Sequence, residues 1–138
     1  MFQINEKRKN IQKRSRSKVR ILYAISDWPA QLQFAQTMKL LGYEINLAGN
    51  GQQILNKAIS WSPDIIFMTL RLPVIDGLLV TRMIRRQSDI MHIPIIIMAD
   101  THDAHRQFAC LSVGVNRFLV LPFEIEFLLN TIQELIDR

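Results

Sequence analysis

The sequence predicts an α/β domain of three layers, in which helices cover both faces of a parallel five-stranded sheet. Apolar runs of strand length alternate five times with longer stretches whose apolar residues follow the helical period. The fourth run, 94–99, is apolar almost throughout, as expected of a strand buried on both faces. Regular alternation of strands and helices favours parallel strands joined by right-handed crossovers.

The strands are predicted from their apolar residues and from the turn residues that bound them. Gly42 precedes the second run, Pro63 the third and Gly114 the fifth, and none of these residues favours continuation of a helix. The predicted strands are 19–25, 43–48, 64–69, 94–99 and 117–120.

The helices are predicted from amphipathic spacing and from capping residues. The first begins near Trp28, with Asp27 as a plausible N-cap and Pro29 in its first turn, and Gly42 ends it. The second follows the Asn50–Gly51 turn, the third spans 76–86 and the fourth 103–113. The last helix has a common apolar face formed by Ile125, Leu128, Ile132 and Leu135.

Composition indicates one globular domain with a substantial core. The chain has 138 residues, of which 49% are hydrophobic. It has no apolar run of the roughly 20 residues that a membrane span requires, and no apolar stretch typical of a signal peptide near its start. The single Cys110 cannot form an internal disulfide. These features lead us to expect a cytoplasmic protein.

The basic residues are concentrated at the N-terminus. Residues 1–20 hold eight basic residues and one acid, a net charge of +7, which leaves nine basic and 11 acidic residues in the remainder. We therefore expect residues 1–17 to form a disordered arm and residues 18–138 to form the domain. The arm offers a weak contact with nucleic acid or an anionic surface through Lys7, Arg8, Lys9, Lys13, Arg14 and Arg16.

A functional site is expected where parallel strands end, because ligands of open α/β sheets bind at the carboxyl edge. The segments at this edge belong to a sequence pattern that resembles the receiver domain of response regulators over residues 18–138. The pattern consists of ILYAISDWPAQLQFAQTMKLLGYEI, AGNGQQIL, PDIIFMTLRLPVIDG, HIPIIIMAD and VGVNRFLVLPF, in this order. The resemblance implies a flavodoxin-like (βα)5 fold with strand order 2-1-3-4-5, and phosphoryl transfer to an aspartate at a strand end.

The chain departs from the family at the residues that carry this chemistry. Ile25 and Ser26 stand where the family has an acidic pair, and only the next residue, Asp27, is acidic. Thr69 replaces the phosphoryl-accepting aspartate, Ala99 the switch hydroxyl and Leu121 the lysine. The resemblance also carries over a switch-like aromatic residue at Phe118 and a cis peptide bond before Pro122.

These replacements predict a pseudo-receiver that binds partners without being phosphorylated. Mg²⁺ requires oxygen ligands, and phosphoryl transfer requires cations that neutralise the charge on the transferred group. Asp27 alone is a poor basis for such a site, and a threonine nucleophile would need an activating base or metal. We therefore expect no enzymatic activity, no cofactor and no metal, and we expect His92, His102 and His105 to be solvated.

The broad apolar band of the last helix suggests a docking surface. In the family, the fourth helix, fifth strand and fifth helix form a common dimerisation and docking face, which here would include Phe123, Phe127 and Leu129. We expect a protein partner or a second copy of the chain on this face. The arginines Arg82, Arg85 and Arg86, near the end of the third helix, are expected to face water.

Two other functions remain open at this point. The chain could be a conventional phospho-accepting regulator of a phosphorelay, which a stable phosphoryl or beryllofluoride adduct would reveal. It could also bind a small molecule in the altered pocket lined by Ile25, Thr69, Ala99 and Leu121, or nucleic acid through its basic arm. Salt-dependent DNA retardation that is lost without residues 1–17 would favour the nucleic-acid version.

Overall fold

The computed structural model describes residues 19–25 and 28–137, with only the backbone described for residues 28–31. The predicted Ser26, Asp27 and arm residues, Lys7, Arg8, Lys9, Lys13, Arg14 and Arg16, lie outside the described residues. The strands are β1 (Arg20–Ala24), β2 (Glu44–Leu47), β3 (Ile65–Thr69), β4 (Ile95–Ala99) and β5 (Arg117–Val120). The α-helices are α1 (Trp28–Leu40), α2 (Gly51–Trp61), α3 (Gly77–Arg85), α4 (Gln107–Ser112) and α5 (Ile125–Ile136).

The five strands form one sheet in the order β2-β1-β3-β4-β5, and each neighbouring pair is parallel. The predicted fold class and strand order are thereby confirmed. The sheet register pairs Ala24 with Met68, Thr69 with Met98 and Ala99 with Val120, so the carboxyl ends of β1, β3, β4 and β5 meet at one edge.

Two apolar cores lie on opposite faces of the sheet because successive side chains of a strand point to opposite faces. One core joins the inward residues of α2, α3 and α4 to Leu22, Ile66 and Ile97. The other joins α1 and α5 to residues that include Tyr23 and Phe67. The β4 side chains are buried along the whole strand, as its apolar sequence predicts.

The predicted fourth helix differs from its expected form. Residues Thr101–Arg106 form a 3₁₀-helix, and α-helical geometry begins only at Gln107. Asp100 caps the 3₁₀-helix, because its side chain accepts a hydrogen bond from the Asp103 amide at 3.1 Å. The tighter helix turns the Asp103 side chain to a buried position, where it is only 4% exposed.

Arg85 contradicts the expectation that the arginines at the end of α3 are solvated. Arg82 and Arg86 are exposed, but Arg85 is half-buried and donates to the carbonyls of Ile93 and Gly114 at 2.7 Å and 2.9 Å. The reason is that the loops before β4 and before β5 bring backbone carbonyl groups to the end of this helix, where Arg85 can donate to them. Within the described residues, no helix has both the length and the apolar character needed to cross a membrane.

Candidate functional site

A small cleft of about 120 Å³ opens at the carboxyl edge of the sheet, between the ends of β3, β4 and β5. It is lined by three of the predicted site residues, Thr69, Ala99 and Leu121. Each directly ends or follows a strand, so the parallel register brings them together although 52 positions separate the first from the last. The rest of the lining is Leu70, Arg71, Met98, Asp100 and Asp103.

Thr69, at the position of the acceptor, uses its hydroxyl within its own loop. The Oγ1 donates to the backbone carbonyl of Arg71 at 3.1 Å. A hydroxyl that donates its proton to a nearby carbonyl is oriented for a turn, as serine and threonine side chains often are after strands. The Thr69 hydroxyl is therefore bonded to the backbone of the loop that follows its strand.

The other replacements make the cleft apolar on one side. Ala99 is buried, with 5% of its surface exposed, and Leu121 is 38% exposed at the mouth of the cleft. The Leu121 amide donates to the Ala99 carbonyl at 2.8 Å, which fixes the two residues side by side. Ile25 does not join them, because its side chain packs against the core beneath α1 and α5.

The charged part of the cleft is an ion pair that the sequence did not reveal. The Arg71 guanidinium holds the Asp103 carboxylate by two hydrogen bonds, from Nε to Oδ2 at 2.6 Å and from a terminal nitrogen to Oδ1 at 3.1 Å. Such a fork matches the planar geometry of both groups. The pair joins the loop after β3 to the 3₁₀-helix after β4.

The pair alters the proton affinity of both groups. The hydrogen bond from Arg71 lowers the pKa of Asp103, an effect that its desolvation opposes, while the charges of Arg71, His102 and Arg106 lower this pKa further. The same hydrogen bond raises the pKa of Arg71, with smaller contributions from the charges of Asp103 and Asp100. Both groups therefore remain ionised at neutral pH, and the cleft contains a fixed cation.

The other polar candidates from the sequence are exposed or are used in local structure. The three histidines are exposed, and His105 Nδ1 lies 3.2 Å from the carbonyl oxygen of His102. Asp100 caps the 3₁₀-helix. Over 19–25 and 28–137, no group of three or more histidine, cysteine or acidic side chains is placed to hold a metal ion.

The segment after β5 carries the other predicted residues. The Leu121–Pro122 peptide bond is cis, and Phe118 is half-buried against the core beneath α2, α3 and α4. Of the predicted docking residues, Phe123 and Leu129 pack against the opposite core, whereas Phe127 is 54% exposed. Among the three predicted docking residues, Phe127 alone is exposed, so the apolar surface there is smaller than the sequence suggested.

The structure adds two exposed apolar residues that the sequence analysis did not select. Phe108 and Leu111 on α4 are 82% and 42% exposed. Their spacing of three places them on one side of this helix, and the buried Cys110 marks its other side. The sequence signal that could have revealed them is two large apolar residues, three positions apart, in a helix of only six residues.

Comparison with known proteins gives the family of the chain. The model of the response regulator receiver domain family matches residues 24–133. The chain therefore belongs to the response regulator receiver domain family, whose members act in two-component signalling. It is 38% identical over 96 residues to the response regulator ArlR of Staphylococcus aureus, in a match that covers 70% of this chain and 42% of ArlR. The chain thus spans about two fifths of the length of the curated relatives it matches.

Solved receiver structures share the fold. The receiver domain of the sensor histidine kinase PA1611 from Pseudomonas aeruginosa PAO1 is 30% identical, with a TM-score of 0.80 over 88% of this chain and 99% of that chain. That structure has a magnesium ion coordinated in its active-site cleft. The chemotaxis response regulator CheY4 of Vibrio cholerae is 27% identical, with a TM-score of 0.77 over 86% of this chain and 98% of that chain.

Proposed function

We propose that this receiver domain is a pseudo-receiver, a non-enzymatic protein-interaction module in bacterial signalling or gene regulation that acts without phosphorylation. The observation that carries the proposal is the side chain at the acceptor position. Thr69 has no carboxylate, and its hydroxyl donates to the Arg71 carbonyl at 3.1 Å. Nucleophilic use of this oxygen would require loss of that hydrogen bond and activation by a base or metal.

The charges of the cleft support the same proposal. Arg71 occupies the cleft with a fixed positive charge, and it already neutralises the buried Asp103. A divalent ion entering beside Asp100 would meet the guanidinium at short range and would have to compete with it for Asp103. Leu121 supplies an apolar side chain where the family carries a lysine, so the charge of a transferred phosphoryl group has no such partner there.

Phosphorylation assays test the proposal directly. After incubation with acetyl phosphate and Mg²⁺, we expect the mass of the protein not to increase by that of a phosphoryl group. After addition of beryllofluoride, we expect the ¹⁹F NMR spectrum to show the free fluoride species and no signal from protein-bound fluoride. A receiver domain with an aspartate acceptor, treated in parallel, provides the positive control. A labile phosphoryl adduct on this chain would establish a conventional phospho-acceptor and refute the proposal.

Magnesium should also have little effect on stability. A ligand stabilises a protein only by binding its native state, by about 2.7 kcal/mol at a hundred times the dissociation constant. We expect the melting temperature to change by less than about 1 °C between 0 and roughly 10 mM Mg²⁺. Ca²⁺ at the same ionic strength is the matched control, and a rise specific to Mg²⁺ would contradict the proposal.

We further propose that partners dock on the surface around β5, which we call the β5-edge surface and define by Phe108, Leu111 and Phe127. β5 is the edge strand of the sheet, with α4 packed on one face and α5 on the other. Phe127 lies two turns before Glu134, whose carboxylate is 3.8 Å from Arg117 of β5, so both face this edge. Exposed aromatic side chains flanking a strand edge are typical of contact sites.

Substitution of the aromatic residues tests this surface. Phe108→Ser and Phe127→Ser should each weaken concentration-dependent self-association in sedimentation velocity, or weaken binding of a partner captured with the wild-type chain. Leu40→Ser is the matched control, because Leu40 is 89% exposed but lies at the end of α1. An equal loss of binding with Leu40→Ser, or no loss with either phenylalanine variant, would exclude the β5-edge surface.

A further inference from the structure

The Arg71–Asp103 pair connects two segments that are 32 residues apart in the sequence. Arg71 belongs to the loop after β3, and Asp103 belongs to the 3₁₀-helix after β4. The side chain of Asp103 is 5% exposed and that of Arg71 is 68% exposed, so the carboxylate is the buried partner. The loop and the 3₁₀-helix contact each other at the cleft, because Arg71 and Asp103 both line it.

Burial makes Asp103 dependent on Arg71. A carboxylate removed from water is unfavourable unless it is paired and hydrogen-bonded. Among the described residues, the further partners of the Asp103 carboxylate are the weaker electrostatic ones, His102 and Arg106. Loss of Arg71 would therefore leave a buried charge, which can be relieved if the segment carrying Asp103 moves toward water.

The segment that carries Asp103 is a 3₁₀-helix beside the cleft. A 3₁₀-helix has poorer hydrogen-bond geometry than an α-helix, and runs longer than three or four residues are uncommon. Here six residues adopt it, with the Gln107 amide bonded to the Ala104 carbonyl where α4 begins. A looser ion pair joins Arg106 of the same helix to Asp76, at 3.6 Å.

The 3₁₀-helix leads directly into α4, which presents Phe108 and Leu111. A change in the 3₁₀-helix would therefore reposition one side of the β5-edge surface. The strands beneath it are held by continuous parallel pairing and buried apolar side chains, so they provide a rigid base.

We propose that the Arg71–Asp103 pair is a conformational latch, which fixes Thr101–Arg106 against the β3–α3 loop and thereby sets the position of Phe108 and Leu111. The latch holds the docking surface in one resting arrangement, and it does so without a phosphoryl group on the protein. A partner that took Arg71 away from Asp103, for example through a carboxylate of its own, would release it. This inference rests on the proposed function for its role in signalling, while the latch itself is tested separately.

Hydrogen exchange of the full chain tests the latch. In Arg71→Met, which keeps the aliphatic stem, the amides of Asp103 and Gln107 should exchange at least tenfold faster than in the wild type. The strand amides of Ile66 and Ile97 should keep their wild-type rates. The NMR signals of the Phe108 ring and the Leu111 methyl groups should shift in the same variant.

A second substitution separates an ion-pair latch from simple packing. If an uncompensated buried carboxylate drives the opening, adding Asp103→Asn to Arg71→Met should slow the exchange of the Gln107 amide again, by several-fold. Loss of packing alone would make the double variant exchange as fast as Arg71→Met or faster, which would overturn the proposal. Exchange of Asp103 and Gln107 within threefold of wild type in Arg71→Met, or equal acceleration of Ile66 and Ile97, would also overturn it.

Arg106→Met is the matched control, because it removes a cation that belongs to the 3₁₀-helix itself and whose contact, with Asp76, is longer. It should change the exchange of the Gln107 amide by less than threefold, and a change as large as that of Arg71→Met would overturn the assignment to Arg71. The outcome is independent of the phosphorylation assays. A phosphoryl adduct would refute the pseudo-receiver proposal, whereas unchanged exchange would refute the latch.

Discussion

Arg85 shows how one side chain can satisfy the hydrogen-bonding needs of several backbone carbonyl groups. Its guanidinium donates to the carbonyls of Met91, Ile93 and Gly114 and to the side-chain oxygen of Asn116, at distances from 2.7 to 3.1 Å. The Asn116 oxygen also accepts from the Ile95 amide, at 2.8 Å, so the network reaches the start of β4. Burial lowers the pKa of Arg85, but an arginine remains charged at any physiological pH.

Replacement of Arg85 should be costly. Arg85→Met removes the donors while the carbonyls stay in place, and unsatisfied buried groups cost about 1–3 kcal/mol each when water cannot replace the donor. Because the site is only half-buried, we expect the free energy of unfolding to fall by about 2–3 kcal/mol in urea titrations. Arg82→Met, in the same helix but exposed, should change it by less than about 0.5 kcal/mol. Equal effects of the two variants would show that the network contributes no stability.

Asp103 should make the free energy of unfolding depend on pH in the acidic range. Since its pKa is lowered in the folded state, mainly by the hydrogen bond from Arg71, the folded protein holds fewer protons on this group than the unfolded chain near pH 4. This stabilisation is fully present above the unfolded pKa of about 4 and is lost as the pH falls through the lower folded pKa.

Asp103→Asn removes that titration. The decrease in melting temperature from pH 7 to about pH 3 should therefore be smaller in this variant than in the wild type. Asp89→Asn, which replaces an exposed carboxylate, is the control and should follow the wild-type profile. If Asp103→Asn lost as many degrees as the wild type over the same range, the ion pair would not be a source of acid sensitivity.

At the scale of an element, the loop between β3 and α3 contains a tight turn. The Ile75 amide donates to the Pro73 carbonyl at 2.8 Å, and the residue between them, Val74, has a φ of +71°. This is a γ-turn in the left-handed region, where a β-branched residue is strained. Val74 is also 76% exposed, so little packing offsets that strain.

A residue that tolerates positive φ should stabilise this turn. Val74→Asn is expected to raise the melting temperature by about 3 °C, which corresponds to roughly 1 kcal/mol for a domain of this size. Val74→Thr keeps the branched Cβ while making the side chain polar, so it should give no rise. A rise of the same size in both variants would assign the effect to polarity and not to relief of backbone strain.

At the scale of the whole molecule, the sheet separates two cores that share the strands but not the helices. Ile54 of α2 and Ile132 of α5 are both fully buried and lie on opposite faces of the sheet. Loss of one methyl group from a packed core costs about 0.5–1.5 kcal/mol. Sites without shared partners usually contribute additively.

The two cores should therefore respond independently. Ile54→Val and Ile132→Val should each lower the free energy of unfolding by about 1 kcal/mol, and the double variant should lose their sum to within about 0.5 kcal/mol. Urea denaturation of the four proteins measures this coupling. A larger deviation would mean that changes in one core are transmitted through the sheet to the other.

The sequence alone determined the layers of this molecule because they follow from local patterns. The apolar run 94–99 predicted a strand buried on both faces, and β4 occupies Ile95–Ala99 with every residue buried. Family spacing also placed Thr69, Ala99 and Leu121 at strand ends, and parallel pairing then brings those ends to one edge.

Only the tertiary structure decided which polar groups meet. The Arg71–Asp103 fork joins residues 32 positions apart, and the bonds from Arg85 to Gly114 join residues 29 apart. The 3₁₀-helix Thr101–Arg106, part of which the sequence predicted as α-helix, carries Asp103 to the position where it meets Arg71. Periodicity describes which face of an element is apolar, whereas a hydrogen bond across two loops depends on distances that exist only after the chain has packed.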